Sequence, residues 1–173
     1  MRKPISIMAV LFCFLVFSYA RAENEPSRVL DLKEKIIEVQ NQGDLGIRGI
    51  VACSKINGYG SYVPLENLKI KNGSRLLMYF EPENYFTKKN KGKYEILLIE
   101  DLLVLNEKGD ILWGREGAVN YNYSSTQPML DLFITNAIEI KGLPAGRYTF
   151  KAVLNDKLKS RNAVNTLLFE VVE

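Results

Sequence analysis

The sequence predicts an all-β fold, an immunoglobulin-like antiparallel β-sandwich preceded by a short N-terminal helix. Three observations carry this. From Ile47 to Val172 the chain is a succession of short apolar runs, several strictly alternating with polar residues and parted by turn residues. No segment between these runs has the length or the 3.6-residue period of a helix. The last third carries Gly142-Leu143-Pro144-Ala145-Gly146-Arg147-Tyr148 ahead of two alternating strands. Pro144 and Gly146 let the chain cross between sheets, and Tyr148 buries its ring and returns its hydroxyl to a corner backbone group, the tyrosine corner of Greek-key sandwiches.

The elements follow in order. Arg2 and Lys3 precede an apolar core from Ile5 to Phe17, and Ala20-Arg21-Ala22 supplies a small-x-small cleavage pattern. Residues 1–22 therefore read as a secretory signal peptide. Residues 23–46 hold a leader and the short helix: 23–26 flexible, Ser27 as the cap, a broken apolar face of Val29, Leu30, Ile36, Ile37 and Val39, and an end near Gln42 before Gly43. Residues 47–173 form the sandwich domain. Ile47–Ile56 is a first strand, and Gly58 to Pro64 bends into a short extended piece. Residues 67–71 add an edge, and Asn72-Gly73 turns the chain. Residues 75–81 are apolar on both faces, as in a central strand covered on both sides. Residues 82–93 form a loop with Lys88, Lys89, Lys91 and Lys93. Tyr94–Asn106 is the longest run, and Glu100-Asp101 within it predicts a bulge or a passage between sheets. Asn106 to Asp110 fits a hairpin turn into residues 111–123. Residues 129–141 alternate with Leu130, Leu132, Ile134, Ile138 and Ile140 inward. Residues 147–155 alternate with Tyr148, Phe150, Ala152 and Leu154 inward. After a polar loop over 155–162, residues 163–172 close the fold with Leu167, Phe169 and Val171 inward. This gives about seven or eight strands.

Charge and composition exclude several functions. Arg2, Lys3 and Arg21 leave with the signal and no acid does, so the remaining bases and acids are equal in number. The basic pI is then no sign of nucleic-acid binding. With Cys13 removed, Cys53 is the only cysteine, so no internal disulfide forms, and its apolar surroundings read as a buried thiol. The chain has no histidine. Ser-His-Asp and Cys-His catalysis and histidine metal sites are excluded, and neither Gly43-Asp44-Leu45-Gly46 nor Gly58-Tyr59-Gly60 is a phosphate loop. No cofactor or metal is expected, and no transmembrane segment after signal cleavage. Carboxylate chemistry remains open through Glu81, Glu83, Glu100, Asp101 and Glu116.

Residues 51–86, from Val51-Ala52-Cys53 through Gly58-Tyr59-Gly60, Leu76-Leu77-Met78-Tyr79-Phe80-Glu81 and Asn84-Tyr85-Phe86, resemble a group of uncharacterised exported bacterial proteins. Residues 142–172 resemble the same group's closing pattern of Leu-Pro, Gly, Tyr, Asp, Ala, Phe and Val. The resemblance implies a β-sandwich and implies no activity. Loop aromatics anchor binding sites, which makes Tyr59, Tyr62, Tyr85, Phe86, Tyr121 and Tyr123 the candidate binding residues. The expectation is an exported, periplasmic or secreted, non-enzymatic binding module of the bacterial envelope whose partner is an envelope protein or a polysaccharide. The alternative is a carboxylate-dependent glycoside hydrolase or other envelope hydrolase.

Overall fold

A computed structural model describes residues 25–173, so the signal peptide and residues 23–24 lie outside the described residues. Among the described residues one helix precedes ten strands. Helix α1 spans Glu25–Gln42. It starts two residues before the predicted Ser27 cap, because Pro26 has the φ that a first helical turn requires and its missing amide donor is not needed there. Residues 25–32 are its opening turns, where Val29 and Leu32 are exposed.

Residues 33–173 form a compact unit. Its part of α1 buries Ile37 and leaves Ile36 and Val39 exposed, so the apolar face is narrower than the sequence predicts. Lys89 pairs with Glu34 at 2.6 Å, and the Tyr94 hydroxyl also donates to Glu34. Both bonds hold the Glu34 carboxyl below the usual carboxylate range. Asn41 exchanges two hydrogen bonds with the backbone of Thr87, at 2.9 and 2.8 Å. At Gly43 a Cβ would meet the Asn84 carboxamide at 2.6 Å, so a larger residue would have to push that side chain from its bond to the Asp44 carbonyl.

The strands are β1 (Gly46–Gly58), β2 (Ser61–Pro64), β3 (Lys69–Lys71), β4 (Arg75–Glu83), β5 (Lys88–Asn90), β6 (Lys93–Asn106), β7 (Ile111–Ser125), β8 (Ile134–Glu139), β9 (Gly146–Asp156) and β10 (Arg161–Val172). They build two sheets. One runs β2-β1-β4-β8, and the other holds β3, β10, β9, β6, β5 and β7. Their inner faces meet in a core of residues such as Ile50, Met78, Phe80, Ile96, Leu98 and Phe150. The protein is thus an all-β, immunoglobulin-like sandwich preceded by a helix. The count of strands exceeds the prediction because β2, β3 and β5 are three or four residues long, and β5 lies inside the predicted lysine loop.

Four local readings change. The sandwich is not wholly antiparallel, since β3 pairs parallel with β10 from Lys69↔Glu170 to Lys71↔Val172. β6 neither breaks nor changes sheets: its ladder with β9 runs without interruption from Leu98↔Asp156 to Asn106↔Tyr148. The bulge sits instead on β7, where three residues between Arg115 and Val119 oppose Asp101 alone. Leu132 is inward as predicted, but Met129 and not Leu130 packs on the core. Among the described residues, 129–133 pair with no strand, and β8 begins only at Ile134, opposite Phe80. The next position along β4 for an inward partner is Pro82, which has no N–H to give. Finally, the loop over 155–162 shrinks to residues 157–160. Asp156 is buried there, its carboxylate accepting from the amides of Phe86, Leu158 and Lys159 and pairing with Arg161 at 3.3 Å. Arg161 also donates to the carbonyls of Gly43 and Asn84.

Candidate functional site

The outer face of the four-stranded sheet gathers aromatic side chains. Between Arg48↔Glu81 and Val51↔Tyr79, β1 carries one residue more than β4. This bulge puts Ile47, Ile50 and Ala52 on the inner face and Arg48, Val51 and Cys53 on the outer one. Directly across on β4 the outer positions are Leu77, Tyr79 and Glu81. Tyr79 is the centre. Its ring lies 4.4 Å from that of Tyr62 and stacks 5.5 Å from that of Phe133, and Tyr59 lies 6.4 Å beyond Phe133. Those neighbours bury Tyr79, while Tyr59 stays 47% exposed. The sequence read β4 as covered on both sides by other layers. Its second face is covered by this aromatic group instead.

A polar network fixes the group. The Tyr79 hydroxyl donates to Glu81 Oε1 at 2.7 Å and accepts from the Gly60 amide at 2.8 Å, which ties the β1–β2 hairpin down onto β4. Burial, and then the bond to Glu81, push Tyr79 up to about 12, so it is a hydrogen-bond donor at every physiological pH. Arg48 bridges Glu81 at 3.2 Å and Glu83 at 2.8 Å. The surface is a cluster of packed rings, with Tyr59 its exposed member, beside a guanidinium and carboxylates. Cys53, opposite Leu77 on this face, is buried, and burial pushes its thiol up. Ellman's reagent at pH 8 should therefore leave it untouched until denaturant is added, and rapid native labelling would mean that the cluster opens.

The other candidate residues are elsewhere. Tyr85 is 2% exposed and belongs to the inner core, its hydroxyl donating to the Met129 carbonyl at 3.2 Å. It is no surface anchor, because Asn84 takes a φ of 54° and turns the chain inward. Phe86 is half-buried under the Lys159 ammonium, 4.8 Å from its ring. Tyr121 and Tyr123 stack on each other at 6.4 Å and lean on the core from β7, with the Tyr123 hydroxyl donating to Gln127. Of the six, Tyr59 and Tyr62 join the outer-face group, through Phe133 and Tyr79, while Tyr121 and Tyr123 form a separate pair on β7. Phe133 and Tyr79 were missed, although each was legible as a large apolar residue at an outward position of an alternating run.

The corner is formed as the sequence predicts. Tyr148 is buried, its ring stacks 5.7 Å from Phe169, and its hydroxyl donates to the Pro144 carbonyl at 2.7 Å, with Gly146 between them. Of the carboxylates considered for catalysis, Glu81 and Glu83 share Arg48, and Asp101 faces away from the core, accepting from the Gly117 amide and from Asn155. Glu100 faces inward and is fully buried. Its Oε1 accepts from Asn136 on β8 at 2.8 Å, and its Oε2 has no partner. Burial raises the Glu100 carboxyl to about 7, with the nearby charge of Asp101 adding to the rise and the Asn136 bond opposing it.

No protein-family model matches the sequence, and no curated protein matches it. Among solved structures the chain is similar to the PKD domain of an M14-like peptidase from a Thermoplasmatales archaeon, at 9% identity and a TM-score of 0.45 over 76% of this chain and 98% of that one. It is similar to the CARDB domain of a Pyrococcus furiosus protein, at 11% identity and a TM-score of 0.35 over 75% of this chain and 86% of that one. A family 123 glycoside hydrolase from Clostridium perfringens shows 11% identity and a TM-score of 0.45 over 75% of this chain, which spans 27% of that enzyme. Among the described residues no helix is long and apolar enough to cross a membrane.

Proposed function

We infer that the chain is an exported, non-enzymatic binding module of a bacterial envelope, with the aromatic face of the four-stranded sheet as its recognition surface and a polysaccharide as its ligand. Export rests on the charged, apolar and small-residue pattern of residues 1–22 and on the resemblance to exported bacterial proteins. The observation that carries the binding reading is the Tyr59–Phe133–Tyr79–Tyr62 group beside Arg48, Glu81 and Glu83. Aromatic side chains join a large apolar face to little conformational entropy. A pyranose presents an apolar C–H face to such rings and equatorial hydroxyls to a guanidinium and carboxylates beside them. Tyr79, held from both sides of its hydroxyl, keeps the cluster rigid before the ligand arrives.

Titration calorimetry with purified envelope polysaccharides tests this. Tyr59→Ala is expected to weaken binding about ten-fold, as for a partly exposed aromatic anchor, while Arg147→Ala on the other sheet leaves it unchanged. Equal affinities for both variants, or binding of an envelope protein and of no glycan, would overturn the reading. The hydrolase alternative makes a different claim: glycan turnover that a Glu81→Gln or Glu83→Gln change abolishes.

A further inference from the structure

One flank of the sandwich is left open between two unpaired edges. Among the described residues β8 ends the four-stranded sheet and has a partner only on its β4 side, and β7 pairs only with β6. Tyr94 meets both β5 and β7, so β7 lies on the side of β6 away from β5 and forms the outer edge there. Beyond the bulge the ladder resumes, and the first half of β7 stays paired with β6 from Leu102↔Arg115 to Leu105↔Ile111. Gly114 lies opposite Leu103, and a Cβ there would meet Leu103 Cδ2 at 2.9 Å. Between the two edges runs a groove of about 450 Å³. Residues 135–141 form one wall and Trp113 with Arg115 the other. Its floor is made of core residues, Leu102 and Val104 from one sheet and Ile138 and Ile140 from the other. Trp113 is 43% exposed, and Ile111 and Leu112 beside it are exposed as well.

A second observation bears on the same groove. Asn136, which lines it, holds one oxygen of the buried Glu100 carboxyl, and the other oxygen is without a partner. Glu100 stands one inward position before Leu102 on β6 and directly opposite Val119 on β7, and both of those residues line the groove. A buried carboxyl with a vacant oxygen is a costly feature that a cationic donor relieves.

We propose that this flank is a strand-acceptor site: it takes an extended peptide segment from a partner protein as a fifth strand antiparallel to β8, with apolar residues facing the floor and one lysine reaching Glu100. Strand addition satisfies the free backbone groups of β8 and closes the core over Ile138 and Ile140. Inward positions of the incoming strand lie opposite Ile138, Asn136 and Ile134, whose side chains point inward on β8, and opposite Ile140, the buried residue just past its end. The short Asn136 side chain already reaches Glu100, and a strand beside β8 stands only about 4.8 Å further along the sheet. A lysine opposite Asn136 spans that distance. The site is separate from the aromatic cluster on the outer face, and its failure leaves that reading intact.

The test uses the full chain and the capped peptide Val-Thr-Val-Thr-Lys-Thr-Val, which places valine opposite the three isoleucines and lysine opposite Asn136. Trp113 is the only tryptophan, so its emission reports occupancy of the groove directly. A saturable blue shift is expected, lost when alternate backbone nitrogens of the peptide are methylated. Glu100→Gln should weaken the lysine peptide about ten-fold, the scale of losing one buried ion pair, and leave a norleucine version unchanged. Ala118→Phe, which fills the groove from β7, should abolish both. No shift at millimolar peptide, equal binding of the methylated peptide, or indifference of the lysine peptide to Glu100→Gln would each overturn the proposal. A shift of Trp113 emission that follows protein concentration without peptide would assign the groove to a second copy of this chain and overturn it too.

Discussion

Replacing Tyr148 by alanine is expected to lower the unfolding free energy by on the order of 3–5 kcal/mol, the cost of emptying a buried aromatic site. The ring is enclosed between Phe169 and the corner, and no neighbour can collapse into its place without moving the Pro144–Gly146 turn. Tyr148→Phe keeps the packing and removes only the donor to the Pro144 carbonyl. Pro144 is exposed, so water replaces much of that bond, and the loss should be about 1 kcal/mol, the low end for a hydrogen bond of this kind. Arg147→Ala, on the outward side of the same strand, should change stability by no more than about 0.5 kcal/mol. Chemical denaturation of the three variants gives the ordering. A phenylalanine variant as unstable as the alanine variant would mean that the hydroxyl, and not the ring, holds the corner.

The second large effect is a pH dependence set by Glu100. Its carboxyl binds a proton more tightly in the folded chain than in the unfolded one, where the ordinary value is 4.5. The stability that depends on the neutral form is complete below about pH 4.5 and is lost as pH rises through about 7. A rise from 4.5 to about 7 corresponds to roughly 3 kcal/mol. Glu100→Gln keeps the acceptor for Asn136 and cannot ionise. Between pH 4 and pH 8.5 the wild type should therefore lose roughly 3 kcal/mol relative to this variant. Unfolding curves of both proteins across that range measure the difference directly. Parallel profiles would show that Glu100 stays solvated, and its burial between β6 and β8 would be wrong.

Glu100 also shows where sequence reading stops. Glu100-Asp101 looks like an interruption of an apolar run, yet one carboxyl points in and the next points out, so the period of two is never broken. The inward acid is met by an inward amide, Asn136, at the one polar position in an otherwise apolar face of β8. Both anomalies were visible separately. Their pairing was not, because it joins residues on different sheets. Local rules did well where the chain interacts with itself nearby. The alternation after Tyr148 appears as written, and the turn at 106–110 is closed by Asn106 Oδ1 accepting from the amides of Lys108 and Asp110. They failed at β3, whose three residues contain too little pattern to reveal a parallel partner some hundred positions away. The site divided in the same manner. Tyr59 and Tyr62 were placed on the surface by their glycine-rich hairpin, whereas Tyr85, in equally loop-like sequence, is drawn into the core.

The parallel register of Lys69–Lys71 with Glu170–Val172 has a temporal consequence. During synthesis, residue 69 emerges long before its partner exists. The ladder that β10 makes with β9 runs almost its whole length, so neither it nor β3 can settle until Val172 is free. The larger sheet closes from its last strand. Non-local pairing of this kind makes folding slow and leaves strand edges bare in the meantime. A chain arrested a dozen residues short should thus remain extended and accessible to protease, and release of the final strand should convert the whole sheet in a single cooperative step.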